Sequence, residues 1–186
     1  VRSENYENGD SIPSGLSDSE WGTTTAGAVA VYGEGSSSCY TDTPDGDACD
    51  EAWSLIEYGR LYNWYAVDDA RGLCPSGWHV PSDEEWTVLT DVLGGASVAG
   101  GQMKTTYGWD NGGNGTNSSG FSGLPGGYRV YNGVFSYAGD FGNWWSSSPS
   151  GSSAWGRDLN SGGENVNRFT SNPQGGFSVR CVRDAE

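Results

Sequence analysis

Ser82-Asp-Glu-Glu-Trp-Thr-Val-Leu-Thr-Asp-Val-Leu-Gly-Gly95 decides the fold class, because it carries every signal of a helix and is the last stretch of the chain to do so. Ser82 is an N-cap residue, and Glu85 three positions on completes a capping box. Trp86, Leu89 and Leu93 form an apolar stripe at helical spacing, and Gly94-Gly95 ends it. Upstream, Trp53, Ile56, Leu61, Trp64 and Tyr65 recur at mostly three- and four-residue intervals, which predicts a first helix over Trp53 to Val67 with Gly59 as a candidate break. Before that, residues 1 to about 26 are polar, with turns at Asn8-Gly9 and Ile12-Pro13-Ser14-Gly15 and an anchor at Trp21. Ala28 to Tyr32 reads as a short strand, and Gly33 to Asp50 as a Ser/Gly/Asp-rich insertion.

Downstream of residue 94 the helix signals stop. Gly-rich turns alternate with short aromatic runs at Gly120–Gly127, Tyr128–Tyr137, Gly142–Ser147, Ala154–Leu159, Val166–Thr170 and Phe177–Val182, the pattern of strands and loops. Tyr131-Asn132-Gly133-Val134 is a hairpin signal of the type I′ kind. The expectation is an α+β domain of two helices followed by small antiparallel sheets with long loops.

The chain's 186 residues suit one domain with a long loop, and its 9 basic and 24 acidic residues give a net charge of −15. Such a field repels phosphate backbones and anionic lipid heads, so no nucleic-acid partner is expected, while cations and neutral glycans are compatible with it. Apolar runs are only a few residues long, so no membrane insertion is expected. The start at Val1 shows neither signal peptide nor initiator Met, which reads as a processed or trimmed chain. Four cysteines without a C-x-x-C pair, beside a single His, point to disulfides and an oxidising, extracellular setting rather than to zinc. By parity, Cys39 and Cys49 would close the insertion. Asn114 and Asn117 each open a glycosylation sequon in a Gly/Asn-rich loop.

No cofactor is demanded by the sequence. If a cation binds, the expectation is calcium on Asp42, Asp45, Asp47, Asp50 and Glu51, since hard cations take several oxygen ligands from a turn-rich loop. The spacing is not that of an EF-hand, and a solvated acidic loop is the favoured alternative. Asp110 to Asn117 is a weaker second candidate. Ligand-binding residues would lie between Trp145 and Gly175, where Trp155, Arg157, Asn160, Asn165, Asn167 and Arg168 punctuate Ser/Gly turns; ordinary strand residues are the competing reading. His79, between Trp78 and Val80, reads as a hydrogen-bonded structural histidine rather than a catalytic one.

Tyr58-Gly-Arg-Leu-Tyr-Asn-Trp-Tyr-Ala-Val67, Gly72-Leu-Cys-Pro-Ser-Gly-Trp-His-Val-Pro-Ser82, Gly115 to Arg129, Trp144-Trp-Ser-Ser147 and Gly176 to Asp184 occur together and in order. In these motifs the chain resembles the Fibrobacter succinogenes major paralogous domain family over nearly its whole length. The resemblance implies a C-type-lectin-like fold, shared with formylglycine-generating enzymes and retroelement variable proteins. It also implies pairing of Cys74 with Cys181, which match the family's two usual cysteines. The chain departs from the family in its start, where the family's first strand is expected to be missing. That departure leaves the Phe177–Val182 edge open to a protein partner or to self-assembly, with a fold-back of residues 1 to 26 into the vacant place, or a merely disordered trimmed segment, as the competing reading of equal weight. The thiol pair of the formylglycine-generating relatives is missing, as are the sugar-binding triplets of calcium-dependent lectins. The functional expectation is therefore a non-catalytic extracellular module, a surface adhesin or filament subunit. A lectin that stacks sugars on aromatic rings comes second, and an oxidase-like relative is a more remote alternative.

Overall fold

The computed structural model describes residues 1–35, 39 and 42–184. It is a mixed α+β structure whose elements, in chain order, are α1 (Asp18–Thr23), β1 (Val29–Ala30), β2 (Asp42–Thr43), β3 (Gly46–Asp47), α2 (Glu51–Glu57), β4 (Leu61–Tyr62), α3 (Trp64–Val67), β5 (Trp78–His79), α4 (Asp83–Val92), α5 (Ala99–Met103), β6 (Gly126–Arg129), β7 (Phe135–Ala138), β8 (Phe141–Ser150), β9 (Ser153–Asn160), β10 (Asn167–Ser171) and β11 (Val182–Arg183). Helix α4 forms as its sequence dictates. Ser82 Oγ accepts from the Glu85 N–H, the Glu85 carboxylate accepts from the Ser82 N–H, and Trp86 is buried with Leu89 and Leu93 packed beside it.

The expected helix over Trp53 to Val67 does not run through. Asp50 caps α2 by accepting from the Ala52 and Trp53 N–H groups, and Gly59 then takes a φ of +84°, which ends the helix where another residue would be strained. Leu61 and Tyr62 form β4 against β1, and Asn63 caps the separate short helix α3. Ile56, assigned above to the buried stripe, is 72% exposed. The spacing imitated a helix because both faces of the two-residue strand are buried, so its apolar pair fell into the helical count.

A second difference is α5, in a region without helix signals. Its sequence Ala-Gly-Gly-Gln-Met has poor propensity, but Ala99, Gly100 and Met103 are buried and the Gly100 N–H donates to Glu164 O at 2.7 Å. Tertiary packing overrides propensity here.

The main sheet has the order β10-β9-β8-β6-β7 and is antiparallel except for the β6–β8 contact, which is parallel. The hairpin lies where Asn132-Gly133 predicts it, between β6 and β7. Its turn is not type I′, because Gly133 but not Asn132 has positive φ and the Gly133 N–H donates to Val130 O. That is a type I turn closed by a left-handed glycine, a common alternative for longer hairpin loops. Of the segments read as strands and loops, Gly120–Gly127 is loop up to the start of β6 at Gly126.

One face of the sheet packs on a cluster of Trp86, Met103, Trp109, Phe121, Trp144 and Leu159, beneath α4 and α5. The other packs Trp145, Phe177 and partly buried Phe169 against the N-terminal third, including Tyr62, Trp64 and Val67. Two disulfides close the structure, Cys39–Cys49 and Cys74–Cys181, with Cα–Cα distances of 5.8 and 5.9 Å. The second spans 107 residues and joins the segment before α4 to the C-terminal stretch. Replacing Cys74 and Cys181 by Ser is expected to lower unfolding free energy by about 2–5 kcal/mol, the usual loss for a native bridge in a small domain. Urea unfolding of the double variant checks this, and an unchanged midpoint and slope would contradict it.

Candidate functional site

The residues expected to form one recognition patch are split by the pleat of the sheet. Antiparallel register pairs Arg157 with Arg168 and Trp155 with Thr170, which places Trp155, Arg157 and Arg168 on the α4 side. Asn160 and Asn167, with Asp158, fall on the opposite side, where Asn165 joins them by donating to Asn167 Oδ1 at 2.5 Å.

On the α4 side the cations meet the helix N-terminus. Arg157 donates to Asp83 Oδ1 at 2.7 Å, to Asp83 O at 3.0 Å and to Thr87 Oγ1 at 3.2 Å, and is only 3% exposed. Arg168 makes a fork on the same carboxylate, with contacts of 2.8 to 3.1 Å, and its guanidinium lies 3.4 Å over the Trp155 ring. Hydrogen bonds from Arg168 and then Arg157 hold the Asp83 carboxyl below its ordinary value. Arg157 is therefore a buried structural cation that fastens α4 to β9, and it is withdrawn from the ligand-binding set.

On the opposite side the cross-strand row is Asn143, Asp158 and Asn167, from β8, β9 and β10. Asn167 donates to Asp158 Oδ1 at 2.7 Å. Burial raises the Asp158 carboxyl above its ordinary value, against the opposing Asn167 hydrogen bond. Asn143 is 5% exposed and its buried Oδ1 has no hydrogen-bond partner among the described residues. Sequence reasoning found Asn160, Asn165 and Asn167 but missed Asn143 and Asp158. Their alternation with Trp144 and Arg157 places them on one face only once the β8–β9 register is known.

The acidic insertion uses its carboxylates locally. Asp47 Oδ1 accepts from the Cys49 N–H, Asp50 caps α2, and Glu51 sits in the first turn of that helix. Asp45 turns toward Gly108, and the side chain of Asp42 lies outside the described residues. Among the described residues no group of three or more His, Cys, Asp or Glu is placed to hold a metal ion. Of the sequon residues, Asn114 is exposed with Oδ1 accepting from the Trp109 N–H, and the Asn117 amide both donates to Ser122 Oγ and accepts from its N–H. His79 lies between Asp184, 2.6 Å from Nδ1, and Glu85, 2.9 Å from Nε2.

The C-terminal stretch forms the third candidate. The expected open edge over Phe177–Val182 is not open along its length, because Phe177 exchanges both backbone bonds with Tyr62, Ser178 bonds Asn143 and Trp145, and Val182 pairs with His79. Between them, Val179, Arg180 and Cys181 make no backbone hydrogen bond to a described residue except that the Val1 nitrogen donates to Val179 O at 2.6 Å. Two hollows of about 120 and 390 Å³ run along this stretch, with Phe121 and Arg180 shared between them and Trp144 and Trp86 at their floors. Arg2 and Arg180 flank the Val1 nitrogen.

A family model described as the Fibrobacter succinogenes major domain matches residues 1–183. No curated protein and no solved structure matches the chain.

The two ionic ties at the ends of α4 and β11 carry opposite pH signs. Asp83, with a lowered folded value, contributes stability that is present above pH 3.8 and lost as pH falls through that lowered value. Hydrogen bonds from Asp184 and then Glu85 raise His79, so its contribution is present below pH 6.5 and lost as pH rises through the raised value. Asp83→Ala, which strands buried Arg157, is expected to cost about 3 kcal/mol, and Arg168→Ala under about 1 kcal/mol. His79→Gln should flatten the stability profile above pH 6.5 and, by removing a group that helps to lower Glu85, weaken the part of the acid limb that Glu85 supplies. Denaturant melts across pH check both, and equal losses for the Asp83 and Arg168 variants would contradict the assignment.

Proposed function

As the chain belongs to the Fibrobacter succinogenes major domain family, we propose that it is a non-catalytic interaction module of an oxidising, extracellular compartment, a surface adhesin or a subunit of a cell-surface filament. On this reading the architecture is a C-type-lectin-like fold, in keeping with the mixed helices and small sheets. The observation that carries the proposal is the backbone of Arg180 and Cys181, which makes no backbone hydrogen bond to a described residue, beside the hollows lined by Trp86 and Trp144. Open strand edges template the addition of another strand, with main-chain bonds giving affinity and side-chain pockets giving selectivity.

The occupant proposed is an extended segment of a partner polypeptide with alternating apolar and acidic residues. Apolar side chains would fill the hollows at Phe121. Acidic ones would meet Arg2 and Arg180, a cationic strip on a chain whose net charge is −15. Closure of all four cysteines in disulfides supports a structural rather than thiol-based role. Among the described residues no helix is long and apolar enough to cross a membrane.

Hydrogen–deuterium exchange on the isolated domain and on the native assembly from the producing cells tests this reading. The amides of Val179 to Cys181 are expected to exchange rapidly in the isolated domain and to be protected in the assembly. Charge reversal by Arg180→Glu should abolish the protection. Protection already present in the isolated domain, or none in the assembly, would overturn the proposal.

A further inference from the structure

Away from α4, the side chains of the main sheet run in successive cross-strand rows. Trp145 and Phe169 form a row packed against the N-terminal third, Asn143, Asp158 and Asn167 form the next, and Phe141 with Asn160 lies beyond it. The polar row thus sits at the line where the covered part of the face gives way to the open part. Beside it Tyr128, from β6, stacks on Tyr137 at 5.7 Å with 21° between the rings, and Phe141 meets Tyr137 edge-on at 5.4 Å.

Tyr137 is out of place by the rules of the strand. Ser136 pairs with Tyr128, so the alternation of β7 sends the next side chain to the other face. A φ of +63° at Tyr137, a conformation that bulky residues rarely adopt, goes with its ring lying on Tyr128 instead, 51% exposed. Nothing in the core requires this exposed ring. Observed strain of this kind points toward a functional constraint.

We propose that the Tyr128–Tyr137 platform and the Asn143–Asp158–Asn167 row form a binding site for a neutral glycan. This site is separate from the strand edge described above. A sugar ring offers a C–H face that packs on an aromatic ring and a rim of hydroxyls that both donate and accept. Asn side chains present both a donor and an acceptor, and the Asp158 carboxylate adds acceptors, the complement that vicinal hydroxyls need. The buried Asn143 Oδ1 has no partner among the described residues, so a water bridging it to the ligand would satisfy it. Binding at this row needs no metal ion. The chain's net charge of −15 selects against sialylated and sulfated glycans.

The intact domain is applied to an array of neutral, sialylated and sulfated oligosaccharides, and the neutral ones retained are titrated calorimetrically against wild type, Tyr137→Gly and Asn167→Ala. Tyr137→Gly removes the ring while relaxing the left-handed backbone, so its melting temperature is expected not to fall. Each substitution should weaken the neutral glycan at least tenfold, and sialylated counterparts should bind at least tenfold more weakly than neutral ones. Retention of no neutral glycan, or affinities within twofold of wild type for both variants, would overturn the proposal.

Discussion

Three consecutive residues near the C-terminus, Gly176 to Ser178, hold the layers of this domain together. Gly176 exchanges backbone bonds with Arg129 of β6, Phe177 with Tyr62 of β4, and Ser178 joins Asn143 and Trp145 of β8. Arg129, Asn143 and Trp145 belong to the five-stranded main sheet, whereas Tyr62 belongs to the two-stranded β1–β4 ladder, which would be marginal on its own. The Phe177 ring lies 4.2 Å from Trp145 and 5.6 Å from Phe169, so the residue that links the backbones also sits at the centre of the shared core. Cys181, three residues after Ser178, then fixes the exit of this stretch to Cys74.

Buried tryptophans supply a second kind of tie, because each indole N–H must find an acceptor once it leaves water. Trp145 donates to Tyr62 O, Trp64 to Ser146 O, and Trp21 to Gln174 O, three bonds that cross between the N-terminal third and the rest. Arg129 does similar work at the far end of β6. It is fully buried between Trp21 at 4.3 Å and Phe135 at 4.6 Å, and donates to Gly133 O and Leu16 O. Stacking and backbone acceptors make such burial tolerable, where an unpaired cation would be strongly destabilising. A chain with many turns and short strands is thereby tied into one frame.

Local chemistry was legible in the sequence where it acts over a few residues. The Ser82–Glu85 capping box, the terminating Gly94-Gly95 and the place of the Asn132-Gly133 hairpin all follow from neighbours in the chain, and the structure has each of them. Properties set by distant partners were not legible. The helix expected over Trp53 to Val67 is divided because Leu61 and Tyr62 find β1, and α5 exists because Glu164 O accepts from Gly100. The candidate patch of Trp155 to Arg168 was read as one surface, whereas strand alternation and the β9–β10 register divide it in two. The aromatic member of the open face, Tyr137, gave no signal at all, since its placement depends on a backbone angle that its identity does not favour.

Native-state hydrogen exchange measures the proposed role of the Gly176–Ser178 segment most directly. If these residues make the layers one cooperative unit, the amides of Tyr62, Arg129, Trp145, Phe177 and Ser178 exchange only through global unfolding and share a single opening free energy. A lower opening free energy at Tyr62 and Phe177 than along the β8–β9 ladder would show that the N-terminal third opens separately, and would contradict the account.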